Sequence, residues 1–437
     1  MPDQDLPHTQ GFVETPSRLP GWARSLGPCV LYAGAAIGVS HLVQSTRAGA
    51  SYGLSLLLVL LLAHAMKYPA MVFAPMYAAS TGQHLLDGYR ARGRWAVVAF
   101  GIVTFGTMFI IQGVVTLITA SLALAGAGDL GLQGVAGSPV WLVSAGVLLV
   151  AGLLLAVGGY RWLKRALNVL MLLLLVVTLA AAASQVQSLD WSRVRLLPAP
   201  GDWVVHAAFI VALAGWMPAP LDITVWNSMW TLKQRRDSGH RATRREAKLD
   251  FDLGYLLCVL TATSFMLLGT TLLFQPGVQP EATPVAFVGQ VIDLYAEAIG
   301  EWARPVVGVG ALAVMLSTTV TVLDGLPRSA SGLLPAGLRD RRASYWSAML
   351  LIALGAQAII VFSVGNASFT ALIDFATMLA FLSTPVLALL NHLCVTGREM
   401  PVEDRPGRTM RLFSLISVVL WAAFAAVFLW TRFAPSP

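Results

Sequence analysis

The sequence predicts an all-α polytopic membrane protein. About eleven transmembrane helices form two inverted five-helix repeats, whose first helices (1 and 6) are broken, and one extra helix. Of the 437 residues, 57% are hydrophobic and 12% are charged, whereas a soluble protein carries about 25% charged residues. Apolar runs of about 20 residues, the length that crosses a hydrocarbon core, recur along the chain. Two of these runs, five spans apart, are interrupted, and this pairing predicts the two repeats.

Hydropathy and turn residues divide the chain into spans and regions. The spans cover residues 27–50, 52–78, 95–126, 139–159, 166–184, 203–230, 250–274, 305–326, 344–363, 367–394 and 410–431. The regions are a cytoplasmic tail (1–26), the first repeat (27–184), the second repeat (203–394) and the extra helix (410–431). Because each repeat holds an odd number of spans, the second crosses in the opposite sense to the first. In addition, acidic and apolar residues alternate at helical spacing in segment 283–302, which predicts an amphipathic helix at the outer surface.

The distribution of basic residues predicts the orientation. Of the 29 Lys and Arg residues, 23 lie on the side of the N-terminus and five on the other, with Lys67 inside a span. The five include Arg47, which we count on the outer side. Since cytoplasmic loops are enriched in Lys and Arg, we predict a multi-pass cell-membrane protein with its N-terminus in the cytoplasm and its C-terminus outside. The most basic loop, 233–248, is interpreted as an orientation determinant, with a site for anionic lipid as the alternative.

Charge and cysteine content exclude several classes of function. The net charge of +7 belongs to the loops, so we expect no nucleic-acid partner. Membrane lipid and a metal ion or small solute are the expected partners, and a monomer is compatible with the sequence. The three cysteines are widely spaced, which argues against a disulfide framework or a zinc site. No nucleophile–base set is present, so we expect neither an enzyme nor a bound cofactor.

The sixth span is interrupted within Val211–Trp226, VALAGWMPAPLDITVW. Pro218 and Pro220 lack a backbone N–H, and their rings clash with the preceding turn. Apolar sequence continues on both sides, which places the break at membrane depth. An unpaired backbone group costs several kcal/mol in lipid, so such a break persists only where protein or a wet cavity surrounds it. The break is therefore a candidate binding site.

The first span has a matching interruption half a chain earlier. Gly38 loosens the helix, and Ser40 and His41 place polar groups near the membrane midplane. Broken helices at corresponding positions of two inverted halves indicate the midplane site of a secondary transporter.

Several short motifs in these spans point to one family. They are Gly27-Pro28 at the start of the first span, Ala48-Gly49 to Tyr52-Gly53 at its exit, Thr81-Gly82 after the second, Ala214 to Pro218 (AGWMP) in the sixth, and Ser317-Thr318-Thr319 in the eighth. In these segments the chain resembles the natural resistance-associated macrophage protein (NRAMP) family, divalent-metal transporters of the LeuT-type fold. The resemblance is close in the first two spans and the sixth. It implies that the Ala214 carbonyl and the Met217 sulfur are metal ligands and that the divalent metal is the substrate.

The chain departs from the family at other positions. Family members carry Asp-Pro-Gly-Asn in the first-helix break, and its Asp and Asn bind the metal, whereas the aligned residues here are Gly38, Val39, Ser40 and His41. The tenth-span Gln of the family corresponds to Thr377. The third span, 95–126, contains no Asp or Glu, so the acidic groups of the family's proton route are absent. His41 is either a replacement ligand or a hydrogen-bonded interior histidine.

Three charged residues lie at membrane depth, namely Lys67, Asp222 and Asp374. A lone charge there costs at least about 2.5 kcal/mol. One interpretation pairs Lys67 with one of the two aspartates. The other has Asp222 or Asp374 supply the missing negative charge, with Lys67 as a built-in cation that replaces a coupling ion; the two can coexist.

The sequence leaves three functional hypotheses. The first is a transporter of a divalent metal cation by alternating access, with the usual proton coupling lost. The second is a carrier of a small organic solute, an amino acid or amine, on the same fold, with Trp216 and Trp226 stacking on it. The third is a signalling relative that has lost transport, against which the short loops and tails argue.

Overall fold

The computed structural model is all-helical over the residues it describes, which are 28–158, 161–189, 191–192, 194–199, 201, 203, 206–275, 280–281, 283–339, 341–366 and 369–433. The predicted tail, 1–26, lies outside these ranges. No strand occurs within them. The α-helices are α1 (Pro28–Ala36), α2 (Thr46–Tyr52), α3 (Leu57–Thr81), α4 (Leu85–Arg92), α5 (Arg94–Asp129), α6 (Gln133–Ala136), α7 (Val140–Val157), α8 (Arg161–Gln185), α9 (Ala207–Trp216), α10 (Ile223–Ser238), α11 (Arg244–Leu273), α12 (Pro284–Ile299), α13 (Ala303–Gly332), α14 (Ala336–Arg339), α15 (Arg342–Asn366), α16 (Phe369–Thr396) and α17 (Arg408–Phe433).

The helices match the predicted spans. Nine helical segments within the described residues are long and apolar enough to cross a membrane. One of them, Ser40–Thr81, has 42 residues, about twice the number that one crossing needs. It is divided at Gly53, whose φ of 59° ends α2. The sixth span appears as the short apolar helix α9, followed after a gap by α10.

The predicted amphipathic helix is confirmed as α12. Proline at its first turn suits a helix start, because that N–H has no intrahelical acceptor. Phe287, Val291 and Leu294 are buried, whereas Asp293 and Glu297 are exposed. Its apolar face packs on α5 and α13.

The helices divide into an inner and an outer group. The apolar window of α5 is 83% buried within the protein, compared with 17% for that of α7. The outer face of α7 is therefore available to lipid, while α5 belongs to the core around the two broken spans.

Helices α2 and α11 approach each other closely through glycine. A Cβ on Gly49 would overlap the carbonyl oxygen of Met266, and a Cβ on Gly269 would overlap that of Thr46. The two helices therefore touch backbone to backbone, as small residues permit in membrane helix pairs.

Candidate functional site

The break in the sixth span leaves backbone carbonyls without helical partners. Helix α9 ends at Trp216, and Met217 takes extended dihedral angles of φ −89° and ψ 120°. In a helix each carbonyl accepts the N–H four residues later. For Ala214 and Trp216 those residues are Pro218 and Pro220, which have no N–H. The carbonyl oxygens of Ala214 and Trp216 are therefore free of helical hydrogen bonds by covalent structure alone.

The break in the first span lies between α1 and a six-residue π-helix, Ser40–Ser45. Such π-helical segments are rare and are frequently found at functional sites. The Gly38 carbonyl accepts the N–H groups of His41 and Leu42, at 3.2 and 3.0 Å. A Cβ on Gly38 would lie 3.2 Å from Cγ2 of Thr318 on α13. The break is thus packed tightly against α13, and the Gly38 carbonyl is occupied.

The two breaks lie against each other. The Ser40 hydroxyl is 3.2 Å from the Pro218 carbonyl oxygen, and the Ser45 hydroxyl is 3.8 Å from the Met217 sulfur. All four residues are buried. The structure therefore brings together the first-span and sixth-span halves of the predicted site. Ser45, which follows His41 by one turn, contacts the Met217 sulfur directly.

The His41 ring is held by hydrogen bonds on both nitrogens. Nε2 lies 3.1 Å from the Cys258 carbonyl oxygen on α11, and Nδ1 lies 2.7 Å from the Ser40 hydroxyl. Because a carbonyl only accepts, Nε2 is the donor there, and in a neutral ring Nδ1 accepts from Ser40. In this conformation His41 thus matches the interpretation as a hydrogen-bonded interior histidine. It binds a metal only if Ser40 releases Nδ1.

Ser40 connects these groups and has one hydrogen to donate. Its hydroxyl also lies 2.7 Å from the Ala36 carbonyl oxygen. Three acceptors, the Ala36 and Pro218 carbonyls and His41, therefore compete for one proton. A change in any one contact alters the others.

Thr377 contacts the sixth span through its backbone and not through its side chain. Its hydroxyl lies 2.9 Å and 2.8 Å from the carbonyl oxygens of Ile373 and Asp374 on its own helix, α16. Its carbonyl oxygen lies where a Cβ on Gly215 would be. Thr377 therefore fixes the contact between α9 and α16, and its hydroxyl satisfies its own helix.

Lys67 on α3 reaches into the sixth-span break. Its side chain is fully buried, and Nζ donates to the carbonyl oxygens of Gly215 and Ala219, at 2.5 and 3.3 Å. Among the described residues, no carboxylate oxygen lies within 4 Å of Nζ. The predicted ion pair between Lys67 and an aspartate is therefore wrong, because backbone carbonyls freed by the break take the ammonium instead.

Asp222 is buried at the start of α10, and within the described part of the chain neither carboxylate oxygen has a hydrogen-bond partner. The carboxylate interacts electrostatically with Lys67 without touching it. It remains available as a negative charge beside the break.

Asp374 pairs with Arg47. Nη1 and Nη2 of Arg47 lie 2.8 and 3.3 Å from the two carboxylate oxygens, and Gln44 adds a contact of 3.5 Å. Arg47 lies within α2, inside the predicted first span, and is 9% exposed. The signal in the sequence is an arginine one turn after Gln44 inside an apolar helix, where a lone charge requires a partner.

The donors available to a metal are few. Within the described residues, no group of three or more His, Cys, Asp or Glu side chains is placed to hold a metal ion. The donors at the break include the Ala214 and Trp216 carbonyls, the Met217 thioether and, on rearrangement, His41. Sulfur and imidazole nitrogen favour borderline or soft transition ions.

Two broken helices that meet at the centre of an all-helical membrane bundle, with freed carbonyls between them, define a secondary membrane transporter of the LeuT-type fold. The profile of the family described as natural resistance-associated macrophage protein-like matches residues 29–431. The chain therefore belongs to the NRAMP family, as the sequence motifs indicate.

Individual proteins resemble this chain in sequence or in fold. An uncharacterized protein of Pasteurella multocida (strain Pm70) is 33% identical over 415 residues, covering 93% of this chain and 92% of the relative. The manganese transporter of Eremococcus coleocola, in complex with an aromatic bis-isothiourea compound, superposes with a TM-score of 0.62 at 16% identity, over 95% of this chain and 88% of that one. MhsT in complex with L-phenylalanine gives a TM-score of 0.62 at 17% identity, over 93% and 98% of the chains. At these identities the two structures establish the fold.

Proposed function

We propose that this protein moves a divalent metal cation across the cell membrane by alternating access, without the proton coupling typical of its family. The observation that carries the proposal is the pair of donors at the sixth-span break. Pro218 removes the hydrogen bond of the Ala214 carbonyl, and the Met217 sulfur is buried beside it, 3.8 Å from the Ser45 hydroxyl. These are the two groups of this helix that the NRAMP resemblance implies as metal ligands.

The donor set favours a borderline or soft ion. Gly38 stands where the family has a carboxylate, so affinity for a hard dication is expected to be low. A thioether and carbonyls, joined by His41 when Ser40 releases it, suit a borderline ion such as Fe²⁺ or Co²⁺ better than Mg²⁺. Asp222, buried and lacking a hydrogen bond in the described structure, supplies a compensating negative charge nearby.

The absence of acidic residues from the third span supports the loss of the usual coupling. Residues 95–126 contain no Asp or Glu, so the family's proton-accepting side chains have no counterpart in this helix. We expect uptake that does not acidify the receiving compartment.

Uptake into proteoliposomes tests the proposal. Purified protein is reconstituted and uptake of Mn²⁺, Fe²⁺, Co²⁺ and Mg²⁺ is measured with a metal-sensitive dye, with a pH dye in parallel. We expect uptake of at least one transition ion and a loss of uptake in Met217→Ala. If Met217 matters only for packing, Met217→Leu should lose less uptake than Met217→Ala. No uptake of any of these ions by folded, reconstituted protein refutes the proposal.

A gain-of-function variant sharpens the test. Gly38→Asp restores the family's carboxylate, and Gly38→Ala introduces the same Cβ, 3.2 Å from Thr318 Cγ2, without the charge. We expect tighter Mn²⁺ binding for the aspartate variant than for the alanine variant, measured by calorimetry in detergent. Equal affinities would show that metal does not approach this position.

One observation favours a small organic solute as a second candidate. The Trp216 indole N–H is buried beside the break and has no hydrogen-bond partner among the described residues, so it is free to donate to a ligand. Trp226, by contrast, donates to the Ser329 hydroxyl at 3.0 Å and is committed to packing. MhsT is seen with L-phenylalanine, and Mhp1, a nucleobase-cation-symport-1 family transporter, with bromovinylhydantoin at a TM-score of 0.56 and 15% identity. Thermal stabilisation by an amino acid or amine, with none by metals, would favour this candidate.

We further propose that the N-terminus is cytoplasmic and the C-terminus external, that lipid contacts the exposed faces of the outer helices, and that the protein acts as a monomer. The excess of basic residues on one side supports the orientation.

A further inference from the structure

The ammonium group of Lys67 lies among backbone oxygen atoms of the kind that bind cations. Its Nζ lies 2.5 Å from the Gly215 carbonyl oxygen and 3.3 Å from that of Ala219, and the side chain has no exposed surface. The Gly215 carbonyl is at the C-terminal end of α9, where the helix dipole is negative. These donors belong to the broken span itself, while Lys67 comes from α3.

Two further groups lie near the Lys67 ammonium. The Asp222 carboxylate, 4% exposed and without a hydrogen-bond partner in the described residues, interacts electrostatically with Lys67. The Trp421 ring on α17 lies 5.6 Å from Nζ, within the range of a cation–π contact. Carbonyl and carboxylate oxygens with an aromatic face are donors that a small monovalent cation would use in the same place.

We propose that the carbonyl oxygens of Gly215 and Ala219, together with the Asp222 carboxylate, form a monovalent-cation site that Lys67 fills permanently from within the chain. The ammonium joins α3 to the end of α9, at Gly215, and to the break itself, at Ala219. A mobile Na⁺ or K⁺ is therefore not needed to hold the break together. This inference goes beyond the proposed function, because the site is distinct from the Ala214 and Met217 donors and does not depend on which substrate is carried.

Removal of the lysine tests the inference through stability, with no substrate present. The thermal midpoint is measured in detergent in chloride salts of Na⁺, K⁺, NH₄⁺ and choline at equal ionic strength. We expect the wild-type midpoint to be the same in all four salts. Lys67→Ala should have a lower midpoint in choline and recover by a few degrees in at least one of the three small cations, because binding to the folded state stabilises it.

Two further variants keep the test decisive. Lys67→Met retains the aliphatic stem and removes only the terminal group, so it serves if the alanine variant does not fold. Lys67→Ala/Asp222→Asn removes the carboxylate as well, and its recovery by small cations should be lost. A midpoint of Lys67→Ala and Lys67→Met that is independent of the salt overturns the inference, and so does an undiminished recovery in the double variant. Because no divalent metal is used, neither result bears on the proposed transport of metal.

Discussion

Gly215 joins the sixth-span break to the tenth span, and its replacement by alanine gives a sharp test of this packing. A Cβ at this position would overlap the Thr377 carbonyl oxygen and lie 3.0 Å from Cβ and 3.1 Å from the backbone N of Phe381. The obstructing atoms belong mainly to the backbone of α16, so no side chain can rotate away. The helices α9 and α16 must separate instead.

The magnitude follows from the contact distances. To restore ordinary contact distances, the two helices must move apart by about 1 Å. A gap of that size forfeits about a quarter to a half of the dispersion energy of each affected contact. Overpacking of a well-packed core costs about 1–3 kcal/mol. We expect the upper part of this range, since the shift also strains the hydrogen bond from Lys67 to the Gly215 carbonyl.

The assay is thermal unfolding in detergent, followed by tryptophan fluorescence, with uptake measured in parallel. We expect Gly215→Ala to lower the midpoint by several degrees and to reduce uptake. Gly106→Ala is the matched control, because a Cβ on Gly106, also inside a membrane-spanning helix, would meet no heavy atom within 4 Å. Alanine there should leave the midpoint unchanged or raise it, since alanine favours the helix. A midpoint for Gly215→Ala equal to that of the control would refute the close contact between α9 and α16.

Two further predictions concern buried polar pairs. Arg47→Met and Asp374→Asn should each lower the thermal midpoint, and the double variant should lose less than the sum, by a coupling of about 0.5–3 kcal/mol; strict additivity in the midpoints would contradict the ion pair. Asn391 accepts from the Tyr89 hydroxyl at 2.5 Å and donates to the carbonyl oxygen of Ala70 at 2.9 Å, so Asn391→Leu should cost about 1–3 kcal/mol by leaving these groups unpaired. Tyr89→Phe added to Asn391→Leu should restore part of that loss, and a further decrease in the midpoint would count against the pairing.

The sequence was sufficient to locate the break in the sixth span because covalent chemistry determines it. Pro218 and Pro220 cannot donate hydrogen bonds, so the end of α9 near Trp216 follows from their positions alone. Gly38 likewise marks the end of α1 two residues earlier, at Ala36. The span limits and α12 follow from the period and length of the apolar runs, which report burial directly.

The partners of the charged residues could not be predicted in the same way. Arg47 and Asp374 are separated by 327 positions, and nothing local indicates that α2 and α16 meet at this point. Lys67 pairs with backbone carbonyls, which every residue carries and which therefore leave no mark in the sequence. The Thr377 hydroxyl donates to carbonyls of its own helix. Aligning Thr377 with a ligand position of the family therefore does not predict where its side chain points.

The backbone contact between α2 and α11 has a consequence for the transport cycle. A side-chain layer between two helices can deform and let them slide, but at Gly49 and Gly269 no such layer exists. Rotation of either helix would drive a neighbouring side chain into the other's backbone. We therefore expect α2 and α11 to move as one rigid unit during transport. We expect this unit to hinge at the two places where the chain leaves helical geometry on either side of α2, Gly38 and Gly53.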